Sequence, residues 1–305
     1  MSFVPMPSGV RAGVYVEVWT GKVVERFTYI EQGSFLDGVP DFSRYVDNDV
    51  IHLVDVTGDP TVLIDNTTYP LTIENLPDGD IAISLHKFET NPTRITDDEL
   101  YALSYDKIQV AKDRHADKLG EAHLDKAIHA FAPVSATADT PIVYTSGSAI
   151  DGRKALRRED LIALKRKLDK LKVPKTGRRL VLCSDHVNDL LELDQKFKDQ
   201  YHNYESGKIM KAYGFEIYEF VNCPLFDQTG NKKSFGSVPA AGDYEASVFF
   251  YVPRMFKAKG TTKMYYSESK TDPVNKQNLI SFTNRFVALP QKREQASGAI
   301  VTKTA

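Results

Sequence analysis

The chain has 305 residues, of which 42% are hydrophobic, 26% charged and 10% aromatic, enough for one large domain or two modest ones. That profile excludes a collagen, a coiled-coil rod and a wholly disordered polypeptide. Thirty-nine Lys and Arg stand against 41 Asp and Glu for a net charge of −2, so the whole chain is no polycation built for nucleic acid, and charge arguments are regional.

Residues 1–13 carry Pro5, Pro7 and Gly9 and read as an extended arm without the apolar stretch of a signal or transit peptide. Over 14–30 a strand-like alternation competes with helical spacing of Val16, Trp19, Val23, Phe27 and Ile30, and a helix is expected. Between Val50 and Phe88, short β-branched runs separated by Gly58-Asp59-Pro60, Asp65-Asn66 and Pro77-Asp78-Gly79 predict a long hairpin. From Val46 to His86 it carries eight acidic residues and no Lys or Arg. A two-stranded ribbon is marginal in water, so it needs a surface to lie on.

Thr96-Asp97-Asp98-Glu99 is a capping box, and one long helix is expected from there to Phe131, with Leu100, Leu103, Ile108, Ala111, Leu119 and Ala122 on one stripe. Residues 133–152 read as a linker around one apolar run, Pro141-Ile142-Val143-Tyr144. A basic helix follows over 157–172, with Leu161, Leu164, Leu168 and Leu171 inward. From Arg153 to Arg179 twelve Lys and Arg face three acids, a regional balance of +9. A strand over 180–183, a helix that Ser184 can cap, a short helical turn from Gly207 to Tyr213, and a strand opening at Gly214 come next. Late strands are expected around Ser247–Val252, Lys263–Glu268 and Leu279–Leu289. This order is α+β, not a repeating βαβ series.

No catalytic constellation assembles from these residues. Ser184-Asp185-His186 are adjacent at a helix start and cannot converge on one substrate. Gly207-Lys208 lacks the rest of a phosphate loop. His115, His123 and His129 never reach the i, i+4 spacing that points two imidazoles at one metal, and Cys183 and Cys223 lack a CxxC spacing. Neither cofactor nor metal is expected, and the thiols suit a reducing cytosol. No run reaches the roughly 18 apolar residues of a membrane span. Trp19, Tyr201, Tyr204 and Tyr213 read as core or interface aromatics.

The acidic ribbon (Asp55, Asp59, Asp65, Glu74) and the basic region (Arg153, Arg157, Arg158, Lys165, Arg166) are candidate contacts between copies of the chain. Opposite regional fields steer association and fix its orientation, and a contact between unlike patches is heterologous, closing into rings or growing into arrays. The basic region alone also admits a nucleic-acid-binding reading through phosphate contact.

Several ordered segments carry a resemblance: Glu17-Val18-Trp19 with Val23-Val24 and Phe27; Asn48-Asp49-Val50-Ile51-His52; Leu103-Ser104-Tyr105-Asp106-Lys107; Arg178-Arg179-Leu180-Val181-Leu182-Cys183-Ser184; Phe197; Tyr201-His202-Asn203-Tyr204; Gly207-Lys208-Ile209; and Tyr213-Gly214-Phe215-Glu216-Ile217-Tyr218. In their order and spacing the chain resembles tailed-bacteriophage major capsid proteins of the Hong Kong 97 fold, from about Val16 to about Leu289. The resemblance implies an arm with the first helix (1–45), an extended loop (46–90), a peripheral domain on a spine helix (91–150 and 246–305) and an axial domain (151–245). It implies a non-enzymatic subunit that forms pentamers and hexamers of an icosahedral shell around double-stranded DNA. The subunit would be made in a host bacterial cytoplasm and used in the virion, with portal, decoration and separate scaffolding proteins as partners. Encapsulins, which hold protein cargo, share this fold. The extended loop has no Lys between Arg44 and Lys87, so locking without covalent cross-links is expected.

Overall fold

The computed structural model describes residues 34–56, 78–102, 106–193, 197, 208–272, 274–292 and 294–305. The expected first helix, the middle of the acidic loop, Leu103, Trp19, Tyr201 and Tyr204 lie outside them. In chain order the first elements are β1 (Val50–Val56), β2 (Asp78–Ser84), β3 (His86–Glu89), β4 (Thr93–Thr96), α1 (Asp97–Ala102), α2 (Lys107–Phe131), β5 (Ile142–Tyr144), β6 (Ala149–Ile150), β7 (Arg153–Lys154) and α3 (Arg158–Lys170). After them come β8 (Arg178–Leu182), α4 (Ser184–Leu193), β9 (Lys208–Ala212), β10 (Phe215–Glu219), β11 (Leu225–Phe226), β12 (Tyr244–Glu245), β13 (Ser247–Tyr251), β14 (Met255–Ser267), β15 (Gln277–Pro290) and β16 (Ser297–Val301). No helix among the described residues is long and apolar enough to cross a membrane.

The described residues fall into two compact units, one of 89–120 with 262–283 and one of 34–88, 121–261 and 284–305. In the smaller unit, Thr96 and Glu99 exchange the two expected cap hydrogen bonds: Thr96 N donates to Glu99 Oε2 (3.0 Å) and Glu99 N to Thr96 Oγ1 (3.4 Å). The expected single helix is interrupted at Asp106, which is non-helical and restarts the helix by accepting the Gln109 N–H (3.0 Å) on its carboxylate. Ile95, Ala111 and Ile280 are buried together, with Leu100, Ile108 and Phe282 against them.

In the larger unit a six-stranded sheet runs in the order β5-β16-β13-β8-β10-β9. Strands β8 and β10 are parallel, as are β16 and β5, and the other pairs are antiparallel. It joins strands expected in the axial segment with strands expected in the peripheral one. One buried cluster centres on Phe35, Phe131, Phe220, Phe226 and Phe250, with Leu124, Ala127 and Ile128 of α2. The other places Leu161, Leu164 and Leu168 of α3 and Val187 and Leu190 of α4 with Leu180, Leu182, Ile217 and Phe249. Three of the four expected inward leucines, Leu161, Leu164 and Leu168, are thus the buried face of α3, while Leu171 lies just past its end and is half-buried against the same cluster.

Two sequence expectations change here. The stretch before Tyr213 is a strand and not a helical turn, because Tyr213 (φ 54°) and Gly214 (φ 83°) form a tight turn that returns β10 antiparallel to β9, with Phe215 opposite Ala212. Positive φ at both central residues matches the right-handed twist of a hairpin. The apolar run in the 133–152 segment is β5, and β16, which the sequence reading did not single out, lies between β5 and β13. Elsewhere β14 and β15 pair in a sheet with β3, and the start of β15 pairs with β4, Gln277 opposite Thr96.

Candidate functional site

The acidic ribbon is anchored at one end. Strands β1 and β2 pair antiparallel from Val50 opposite Ser84 to Val56 opposite Asp78, as the β-branched runs predicted. At the base Ile51 and Leu85 are buried with Phe256, Ala258 and Val287. Further out, Ile81, opposite Leu53, is 43% exposed. Gly260 passes so close that a Cβ there would stand 2.9 Å from Leu85 Cδ2 and 3.0 Å from Arg285 Cβ, so a side chain would force its neighbours to shift. Asp49 pairs with Arg285 (3.0 Å), so this carboxylate belongs to the base. Asp55 stands opposite Gly79, one rung from both Asp78 and Asp80. Asp59, Asp65 and Glu74 lie outside the described residues.

Much of the +9 region is used inside the chain. Arg153 is buried and makes a bidentate pair with Asp189 (2.7 and 2.9 Å), whose Oδ2 also accepts the Leu156 N–H (2.8 Å). Arg178 is 1% exposed and pairs with Asp169 (2.8 Å). Arg179 pairs with Glu216 (3.2 Å), donates to the carbonyls of Phe35 and Asp37, and lies over the Tyr218 ring. Lys167 donates to the Ile142 carbonyl (2.6 Å), and Lys165 pairs with Asp169 (3.1 Å). Arg157, which donates to Ser148 Oγ (3.2 Å), Arg158 beside Glu159 (4.0 Å), and Arg166 are exposed. Arg153 is thus a structural cation and is withdrawn from the surface set, because burial against Asp189 leaves its guanidinium nothing to offer a partner.

The histidines weighed as catalytic or metal-binding residues are held by contacts within the chain. His186 is 0% exposed and lies between Ser247 Oγ (2.6 Å from Nδ1) and Thr302 Oγ1 (2.9 Å from Nε2), and burial pushes its pKa down to about 4. Burial pushes the Cys183 thiol up to about 12, leaving it protonated and unreactive at neutral pH. His115 bonds Thr93 Oγ1 (2.9 Å), His129 bonds the Lys233 carbonyl (2.9 Å), and His123 stacks on Phe286 with ring centroids 4.5 Å apart. Glu245, half-buried near Asp185, is pushed up to about 7, first by desolvation and then by that neighbouring charge. Among the described residues no group of three His, Cys, Asp or Glu could hold a metal ion.

One charged face escaped the sequence reading. Lys107, Arg114 and Lys118 of α2 line a common cleft with Thr90 and Thr93. The available signal was their spacing of seven and four residues, which puts three cations on one helix face.

No protein-family model and no curated protein matches the chain. Solved structures do. The chain is similar to the capsid of cyanophage Pam1, with 12% identity, a TM-score of 0.65, and 97% of this chain and 98% of that one covered. Likeness to the capsid of the empty GTA particle has 13% identity, a TM-score of 0.66, and 97% and 98% coverage. For the capsid of Ralstonia phage GP4 the values are 11%, 0.62, 100% and 98%. The chain has a capsid fold. That likeness covers nearly the whole chain, and the expected α+β fold class stands.

Proposed function

We propose that this chain is the shell-forming major capsid protein of a tailed phage, with the Hong Kong 97 fold. Its copies form pentamers and hexamers that close an icosahedral shell around double-stranded DNA. The observation that carries this reading is the match of nearly the whole chain to capsid structures, 97% of it at a TM-score of 0.65 for the cyanophage capsid. In this reading residues 1–45 are the arm and first helix, 46–90 the extended loop, and the α2 and β14–β15 region the peripheral domain. The axial domain is built on 151–245 with β13 and β16 added. The role is structural and its place is the virion. Scaffolding, portal and decoration proteins are its partners, beside DNA held by proximity.

The chemistry needed is repeated self-association. Many modest contacts, each weak alone, sum to a stable shell because every contact after the first is intramolecular in effect. The acidic ribbon, with Asp55, Asp59, Asp65 and Glu74, seeks a cationic surface on a second copy. Arg157, Arg158, Lys165 and Arg166 of the α3 region are the surface the sequence pattern suggests. Electron microscopy of the purified full-length chain tests the reading: closed particles of uniform diameter are expected. A chain that stays monomeric at high concentration overturns it, and particles filled with protein and lacking DNA in the native source point to the encapsulin alternative.

A further inference from the structure

Residues 34–36 form one helical turn in the larger unit, and the last carbonyls of such a turn have no helical partner of their own. Two cations from different sheets supply one. Arg179 of β8 donates from Nη1 to the carbonyls of Phe35 (2.8 Å) and Asp37, and Lys257 of β14 donates to that of Leu36 (3.0 Å). The Asp37 N–H bonds the Ser34 carbonyl (3.0 Å) and the Val39 N–H that of Leu36 (3.3 Å), so all four carbonyls from Ser34 to Asp37 accept a hydrogen bond. Phe35 is fully buried, edge-on to Phe220 and Phe250 with ring centroids 5.3 and 6.4 Å away. Just beyond, the Lys257 backbone pairs with Pro40 (2.9 Å) and Phe42 (2.8 Å). Glu216 stands opposite Arg179 across β8 and β10 and takes its Nε (3.2 Å), which leaves Nη1 for the carbonyls. A guanidinium can serve all three acceptors because its donors sit in a fixed fork, and an ammonium cannot.

Residues 1–33 precede this turn and carry Val16, Trp19, Val23, Phe27 and Ile30 at helical spacing, an apolar stripe that requires a surface. Joined to a loose root, that stripe would sample many directions and lose more conformational freedom on docking. A gripped root removes that cost in advance. We propose that Arg179, seconded by Lys257, is a positioning residue for assembly: its hold on the carbonyls of residues 35–37 fixes where and in which direction the arm leaves its own subunit, so that the apolar stripe meets a second copy already aligned. The proposal rests on the shell reading above. Arg179 acts through the arm, from a place where its own donors are engaged within the chain.

Three changes in the full-length chain test it, each read by particle yield. Arg179→Lys keeps a positive charge beside Glu216 and loses the fork. The Asp37 and Val39 amides should then exchange with solvent about tenfold faster, and particle yield should fall about tenfold. Unchanged exchange would show that the turn holds without Arg179 and overturns the proposal. Glu216→Gln removes the ion pair and keeps the donors to the carbonyls, so yield should be unchanged; a loss equal to that of Arg179→Lys assigns the effect to the ion pair and overturns it too. Inserting two glycines between Gly33 and Ser34 leaves the grip intact and frees the arm. That insertion should reproduce the loss of yield without moving the urea midpoint of the unassembled subunit, and adding Arg179→Lys to it should cause no further loss. Full yield from the insertion, or losses that multiply in the combined variant, would give Arg179 a role in the fold alone and overturn the proposal. A midpoint lowered by the insertion would show the arm seated on its own subunit, which overturns it as well. Failure of the unsubstituted chain to form particles strikes the shell reading itself, an outcome distinct from all of these.

Discussion

Asp189 gathers both terminal nitrogens of Arg153 and the Leu156 N–H in a buried pocket, tying α4 to the segment before α3. Removing one partner of such a pair leaves an uncompensated buried charge. Asp189→Ala is therefore expected to destabilise the chain by about 3 to 5 kcal/mol, read as a lowered urea midpoint; an unchanged midpoint would show that Arg153 finds another acceptor, with Asp185 (3.6 Å) nearest. His186 yields a pH prediction. With its folded pKa at about 4 and its unfolded value near 6.5, the unfolded state binds more protons, so its contribution to stability falls as pH drops from about 6.5 towards 4. His123, also at about 4, acts in the same direction. Glu245, at about 7 when folded, acts oppositely, gaining stability as pH falls through 7 towards its unfolded value. Ser247, Thr302, Asp189 and Arg153 are the groups that face or perturb His186. Comparing His186→Gln with the parent cancels the other groups. The parent's advantage should shrink by about 2 to 3 kcal/mol between pH 7 and 4.5 in urea titrations, and a constant difference would remove His186 as an acid-sensitive group.

At the scale of elements, the start of α2 depends on one carboxylate. Asp106 accepts the Gln109 N–H, and Asp106→Ala should cost about 1 kcal/mol, measured as a shift in the urea midpoint of the full chain. No shift would mean that the helix restarts without its cap. The Thr96–Glu99 box was legible because its letters and spacing are local, and the break at Asp106 was missed because the apolar stripe continues in phase on both sides of it. β9 was missed for a related reason: Lys208–Ala212 has no strong alternation of its own and is a strand because the Tyr213–Gly214 turn lays it against β10.

For the whole molecule the decisive feature is the separation of charge along the chain, eight acids in the ribbon against a balance of +9 after it. Replacing Asp55, Asp59 and Asp65 with Asn and Glu74 with Gln should leave the subunit folded by circular dichroism and reduce particle formation in sedimentation. Raising ionic strength on the parent should act in the same direction, since exposed charges are screened beyond ~3 Å at 1 M salt. Full particle yield from the neutralised chain would exclude the ribbon as a contact determinant. The structure shows why the positive partner was only half legible. Arg153, Arg178, Arg179 and Lys167 all count in a sequence total, yet each is engaged within the chain.

Sequence by itself determined the α+β class, the ribbon's base, the capping box, the inward leucines of α3 and the lopsided charge, because each is written in neighbouring residues or in a short period. Tertiary structure decided which cations remain at the surface, the placement of β5 and β16 in the central sheet, and the gathering of Lys107, Arg114 and Lys118 beside Thr90 and Thr93. These depend on partners distant in the chain, such as Asp189 for Arg153 and β13 for β16, whose burial and pairing no local pattern encodes.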